Sequence, residues 1–141
     1  MFRFRSRDHV VVTMQDNPTG RTGPRIRCIG RTDDMLIVRG VNLFPTAVRN
    51  VLEAFSQETS GMFSIQPTLE GVSQEPPLPI AIEVAPEQNA NNSDLASRIQ
   101  HAIKERLLVT AQVSLVPHGT LPRETYKSKL VDYSKATKAV A

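Results

Sequence analysis

Residues 30–45 read Gly30-Arg31-Thr32-Asp33-Asp34-Met35-Leu36-Ile37-Val38-Arg39-Gly40-Val41-Asn42-Leu43-Phe44-Pro45. A cation and two acids precede the short apolar run Met35 to Val38, which reads as a compact strand. Gly40 ends it, because glycine enters a left-handed turn without a steric penalty. Val41 to Phe44 reads as a second short extended piece. Pro45 and Thr46 then open a helix, proline being well suited to a first helical turn. Val48, Val51, Leu52 and Phe55 recur at i, i+3, i+4 and i+7, so they share one face and predict a helix over Thr46–Gln57. No single residue in this stretch is diagnostic; the ordered combination is.

Working outward, Gly61 breaks the chain before a strand with Phe63 and Ile65 on one face. Pro67 and Glu75-Pro76-Pro77-Leu78-Pro79 delimit a loop. Ile80, Ile82 and Val84 alternate as the next strand. Ser93, after a polar Asn89–Asn92 loop, suits the N-cap of a second helix, whose apolar stripe is Leu95, Ile99, Ala102, Ile103 and Leu107. Val113 and Leu115 give a last strand, ended by Pro117. From Ser134 the chain is small, polar and basic, which predicts a disordered tail over 134–141. Upstream, Val10 to Val12 and the alternating Arg25–Ile29 segment flank turn signals at Asn17–Gly20 and Gly23-Pro24, giving a hairpin-like pair with too few apolar residues to stand alone. The expected fold is α+β. A small, mainly antiparallel sheet carries two helices on one face, ordered as a β-hairpin followed by a β-α-β-β-α-β-like series, with an extended β segment in front.

The chain has 141 residues and a net charge of +3. That length predicts one domain with a real core. With no Trp and few aromatics, the core should consist of Val, Ile, Leu and Ala. No apolar run reaches the roughly 18 residues of a membrane span, and arginines interrupt the start too often for a signal peptide. Cys28 is the single cysteine, which excludes a disulfide framework and fits a cytoplasmic setting. His9, His101 and His118 lack ligand spacing, so no metal site is expected. Arginines crowd the first segment, and Lys127, Lys129, Lys135 and Lys138 crowd the last. Two basic ends suit either nucleic acid or the phosphates of a nucleotide or coenzyme A. The aromatic platform of a single-strand binder is missing.

The Gly30–Pro45 stretch resembles the hinge motif of adenylate-forming enzymes, the acyl-CoA ligase superfamily, in the form carried by phenylacetate-CoA ligases. The resemblance covers most of the chain. It is strongest over Gly30–Leu52, and Leu121–Asp132 carries it again through Pro122-Arg123. It implies residues 1–32 as the tail of a large adenylation domain and 33–133 as a mobile C-terminal domain. It also implies a role for each of several residues. Asp8 would bind the ribose hydroxyls, a task suited to a carboxylate accepting two hydrogen bonds. Arg31 would lie by the ribose and phosphates, Asp33 would be the hinge residue, and Gly40 would line the pantetheine tunnel. Aligned on Pro122-Arg123, the adenylation lysine falls on Lys127. Thr125 and Tyr126 replace the usual acid and glycine there, so Lys129 stays open as the alternative. Thr19 stands where many relatives carry a cysteine, which again argues against a metal.

Read without the resemblance, Lys127 is a solvated lysine, Asp8 a turn aspartate, Arg31 a surface arginine and Gly40 a hairpin glycine. With it, the expected function is the C-terminal domain of an AMP-forming aryl- or acyl-CoA ligase, as an excised piece or a natural fragment, inactive alone. ATP and coenzyme A would be substrates of the complete enzyme, Mg2+ would arrive with ATP, and nothing would be bound tightly by this chain. The expected partners are the large adenylation domain and an aryl or acyl carboxylate. No membrane is expected, and an uncovered docking face could form a homodimer. The competing readings are a non-catalytic small domain acting with a separate large subunit, and a basic α+β module binding nucleic acid.

Overall fold

A computed structural model describes residues 6–14, 20, 22–123 and 130–137. The strands are β1 (Asp8–Thr13), β2 (Arg25–Arg31), β3 (Leu36–Val38), β4 (Val41–Leu43), β5 (Thr59–Ile65), β6 (Ser73–Gln74), β7 (Leu78–Val84) and β8 (Ala111–Val116). The helices are α1 (Pro45–Leu52) and α2 (Ser93–Leu107). The strands form three small sheets: β1-β2, β4-β3-β6 and β5-β7-β8. Pairs β1–β2, β3–β4 and β5–β7 are antiparallel, whereas β3–β6 and β7–β8 are parallel. This is a small α+β fold with mixed pairing. The parallel β7–β8 pair follows from the α2 crossover between them, as a parallel pair requires.

The core is mainly aliphatic, with Phe55 and Phe63 added, and starts only at Leu36. Leu36, Val48, Ile65, Leu78, Ile80, Ile82, Leu95, Ile99 and Ile103 are fully buried. Helices α1 and α2 touch each other, α1 also touches β5, and α2 packs on β8, so both lie on one side. Truncating any such aliphatic residue to alanine costs about 2–5 kcal/mol. Arg98 ties the layers further. Its guanidinium grips Glu58 at 2.8 and 3.1 Å and lies 5.6 Å above the Phe55 ring.

Four local details differ from the sequence expectation. Helix α1 stops at Leu52, and Glu53–Phe55 tighten into a 3-10 turn, where the Thr59 hydroxyl donates to the Phe55 carbonyl. Gly61 lies inside β5 rather than before it, with φ +78, at the register irregularity between Thr59 and Phe63. Asn92, not Ser93, caps α2, its side chain accepting from the Leu95 amide at 3.1 Å; Ser93 is already helical. Ser134–Thr137, read as the start of a disordered tail, carry backbone pairing. The Thr137 amide donates to the Thr68 carbonyl, and Glu70 donates to Thr137. Just before them, the Ile65 amide donates to Leu130, and Asp132 donates back to Ile65. The returning chain thereby pairs with the end of the open β5 edge at Ile65.

The β1–β2 ribbon is nearly all exposed. Val10, Val11, Val12, Met14, Ile26 and Ile29 retain 36–82% of their surface. It is joined to the rest where the Thr46 hydroxyl donates to the Ile29 carbonyl and where Phe44 packs directly over Gly30. Few buried contacts mean low local stability. Amides of Val10–Val12 are therefore expected to exchange about 100-fold or more faster than those of Ile99–Ile103. Equal protection by hydrogen-exchange mass spectrometry would contradict this.

Candidate hinge and lysine-loop site

Three of the residues read from the sequence come together. Asp8 opens β1 opposite Arg31, the last residue of β2. The Arg31 Nε lies 3.6 Å from Asp8 Oδ1, and its Nη2 lies 3.4 Å from Asp33 Oδ2. Arg7, held at φ +62, places its Nη1 2.8 Å from Asp33 Oδ1. That hydrogen bond is the main reason the Asp33 carboxyl sits below its usual range, against the opposing effect of burial. Thr32 fastens the same corner, its amide and hydroxyl both donating to the Arg7 carbonyl at 2.9 and 3.2 Å. With that hydroxyl proton spent, His9 Nε2 must donate to Thr32 Oγ1 at 2.9 Å.

Asp33 lies in a three-residue 3-10 turn, Thr32–Asp34, between β2 and β3. Exposed ion pairs of this kind are worth about 0–1 kcal/mol each. The linker is thus organised yet cheap to rearrange.

Gly40 does not join that network. It forms the β3–β4 turn with Arg39, at φ +81 and +46, between the paired residues Val38 and Val41. Positive φ at both central residues is the hairpin geometry that glycine and asparagine accept best. Among the described residues, its chain neighbours aside, a Cβ at Gly40 would meet no atom within 4 Å; the need for glycine here is conformational. Lys127 and Lys129 lie outside the described residues. Both flanks of their segment, Leu121–Pro122 and Leu130–Val131, line a cleft of about 530 Å³ that also includes Arg49 and Tyr133. Among the described residues, no three His, Cys, Asp or Glu side chains converge to hold a metal ion.

One polar residue escaped the sequence reading. Glu83 on β7 is 0% exposed. Alternation in Ile80-Ala81-Ile82-Glu83-Val84 puts it on the face opposite the isoleucines, which is the usual place for a solvated carboxylate. Here that face is covered by the chain after β8. Arg123 Nη2 donates to Glu83 Oε1 at 2.9 Å and the Leu121 amide donates to Oε2 at 3.2 Å. His118 Nδ1 lies 3.3 Å from Oε1. Burial pushes this carboxyl up. Hydrogen bonds from the Gly119 and Leu121 backbones and the Ser60 hydroxyl, with the charge of Arg123, outweigh burial and bring it below its ordinary 4.5.

A carboxyl whose folded value is depressed contributes stability above its unfolded value, and that stability is lost as pH falls through the folded value. Glu83→Gln is therefore expected to flatten the acid limb of stability below about pH 4.5. Urea midpoints between about pH 3 and pH 7 would check it. An unchanged acid limb would contradict the assignment.

A small mixed α+β unit entered through an ion-paired linker is the class these features define. Residues 40–134 match the AMP-binding enzyme C-terminal domain, and the chain belongs to that family. It is 34% identical over 138 positions to a phenylacetate-coenzyme A ligase of Thermus thermophilus, covering 87% of this chain and 31% of that protein. It superimposes with a TM-score of 0.80 on 2-hydroxyisobutyryl-CoA ligase in the postadenylation state in complex with R3-HIB-AMP, at 29% identity over 92% of this chain and 28% of that one. Against the same ligase in the thioesterification state, with 2-HIB-AMP and CoA, the TM-score is 0.60 at 28% identity over 94% of this chain and 28% of that one. The chain thus spans about a third or less of the length of these two ligases.

Proposed function

We propose that this chain is the mobile C-terminal domain of an AMP-forming aryl- or acyl-CoA ligase of the phenylacetate-CoA ligase kind. The observation that carries the reading is the family match over residues 40–134, entered through the Asp8–Arg31–Asp33–Arg7 network. The complete enzyme would join a carboxylate to the α-phosphate of ATP, releasing pyrophosphate, and then pass the acyl group to the thiol of coenzyme A, releasing AMP.

In the first step two anions must approach. Lys127 supplies an ammonium that offsets their repulsion and stabilises charge developing on the phosphoryl oxygens. Asp8 accepts from the ribose hydroxyls, and Arg31 faces the ribose and phosphates. Mg2+ would enter with ATP. In the second step the domain turns about Asp33. Exchange of the exposed Arg7 and Arg31 pairs to Asp33 is a small cost against that rotation. The β3–β4 turn then presents Gly40 to the pantetheine arm. The higher TM-score with the postadenylation state than with the thioesterification state supports two distinct poses about this hinge. No described helix is long and apolar enough to cross a membrane, and a cytoplasmic setting suits these substrates.

The large adenylation domain is the required partner. This chain alone is expected to release pyrophosphate from ATP and an aryl acid only at background, whereas the complete enzyme forms AMP, pyrophosphate and a CoA thioester. Robust turnover by the isolated chain would overturn the reading. So would a complete protein with no acid-dependent activity but salt-sensitive RNA binding.

A further inference from the structure

We infer that Glu83 is a positioning residue for the adenylation step, holding the root of the loop that carries Lys127. The inference rests on the ligase reading above. Its physical basis is the set of contacts made by one buried carboxylate. Glu83 belongs to the central strand β7, flanked by β5 and β8, so it moves with the rigid core. Its partners come from the segment that leaves β8: His118, the Gly119 and Leu121 backbones, and Arg123. Ser60 on β5 adds a hydroxyl. Arg123 is the last described residue before the lysine segment. Lys127 follows Arg123 by four residues in the sequence, so Arg123 is the point from which the lysine segment departs.

Arg123 Nη2 lies 3.2 Å from His118 Nε2, and since a guanidinium can only donate, Nε2 is the acceptor. The same guanidinium nitrogen donates to Glu83 Oε1, while the Leu121 amide donates to Oε2, so both carboxylate oxygens accept from the departing segment. Directional bonds of this kind fix one arrangement, unlike apolar packing, which tolerates slippage. A buried ion pair adds little net stability over an apolar side chain of the same size. A β-branched residue would suit this strand position equally well for stability. What the carboxylate adds is a fixed position for the departing loop.

A merely structural residue would depress both half-reactions together by lowering the folded fraction. A positioning residue depresses only the one that uses the loop. The test is Glu83→Gln in the complete enzyme, with two assays: acid-dependent ATP–pyrophosphate exchange, and thioester formation from preformed acyl-adenylate and coenzyme A. Exchange is expected to fall about 10- to 100-fold, as small misplacements of catalytic groups do, with the thioester assay within about twofold of wild type. Unchanged exchange, or equal loss in both assays, would overturn the inference.

Should Glu83→Gln fail to fold, Arg123→Gln serves in its place. That side chain is 55% exposed, and the carboxylate keeps its backbone donors. The same selective loss is expected, and no loss would overturn the proposal equally. Lys127→Ala run alongside separates the two ideas. A silent Lys127→Ala beside a selective Glu83→Gln would remove the lysine assignment and leave the anchor standing.

Discussion

Replacing Lys127 by alanine in the complete enzyme is expected to cut acid-dependent ATP–pyrophosphate exchange by about 100-fold or more. The magnitude is that of removing one preorganised charge from a phosphoryl-transfer site, roughly 3–4 kcal/mol. The ammonium acts where the carboxylate and the α-phosphate meet and has no counterpart elsewhere in the domain's proposed chemistry. Lys129→Ala is expected to be mild in both half-reactions. Thr125 and Tyr126 interrupt the family pattern just before this point, so the pair of variants also checks the alignment. A severe Lys129→Ala beside a mild Lys127→Ala would move the role two residues along the chain.

Gly40 should give the opposite pattern. The turn at Arg39–Gly40 needs positive φ, and a β-branched or bulky residue there adds strain of about 1–2 kcal/mol. Asparagine accepts this conformation, so Gly40→Asn should preserve the hairpin while still adding a side chain. Among the described residues, its chain neighbours aside, no atom lies within 4 Å of a Cβ at that position. If Gly40 were only a turn residue, Gly40→Asn would be almost silent. If it lines the path of the pantetheine arm, thioester formation should fall about 100-fold with pyrophosphate exchange preserved. Comparing the two assays for one variant, against a melting curve, separates these outcomes.

The legible parts of the fold were those written in apolar periodicity. The Val48–Phe55 and Leu95–Leu107 stripes, the Ile80–Val84 alternation and the Leu36–Val38 run each mark an element whose buried face is set by spacing alone. What spacing could not reveal depends on tertiary pairing. The two-residue strand β6 exists because Ser73 and Gln74 lie beside β3. Gln74 then closes its own loop with three side-chain hydrogen bonds to Leu69 and Gly71. The backbone of Thr137 is ordered by Thr68 and Glu70, nearly seventy residues earlier in the chain. For the site, the Arg31–Asp33 pairing was implicit in a motif of adjacent residues. Glu83 was not, because a single acid at an alternate strand position reads as solvated until another segment is seen to cover it. His118 and Arg123, five residues apart and following the last strand, were the only hint, and they point to Glu83 only after folding.

The two-pose account is tested most directly by giving Lys127→Ala enzyme a preformed acyl-adenylate together with coenzyme A and measuring thioester formation. The account predicts a rate within about twofold of wild type, because the lysine meets the reacting groups only before the domain turns about Asp33. A thioester rate that falls as far as pyrophosphate exchange would contradict it, placing one arrangement of this domain behind both steps.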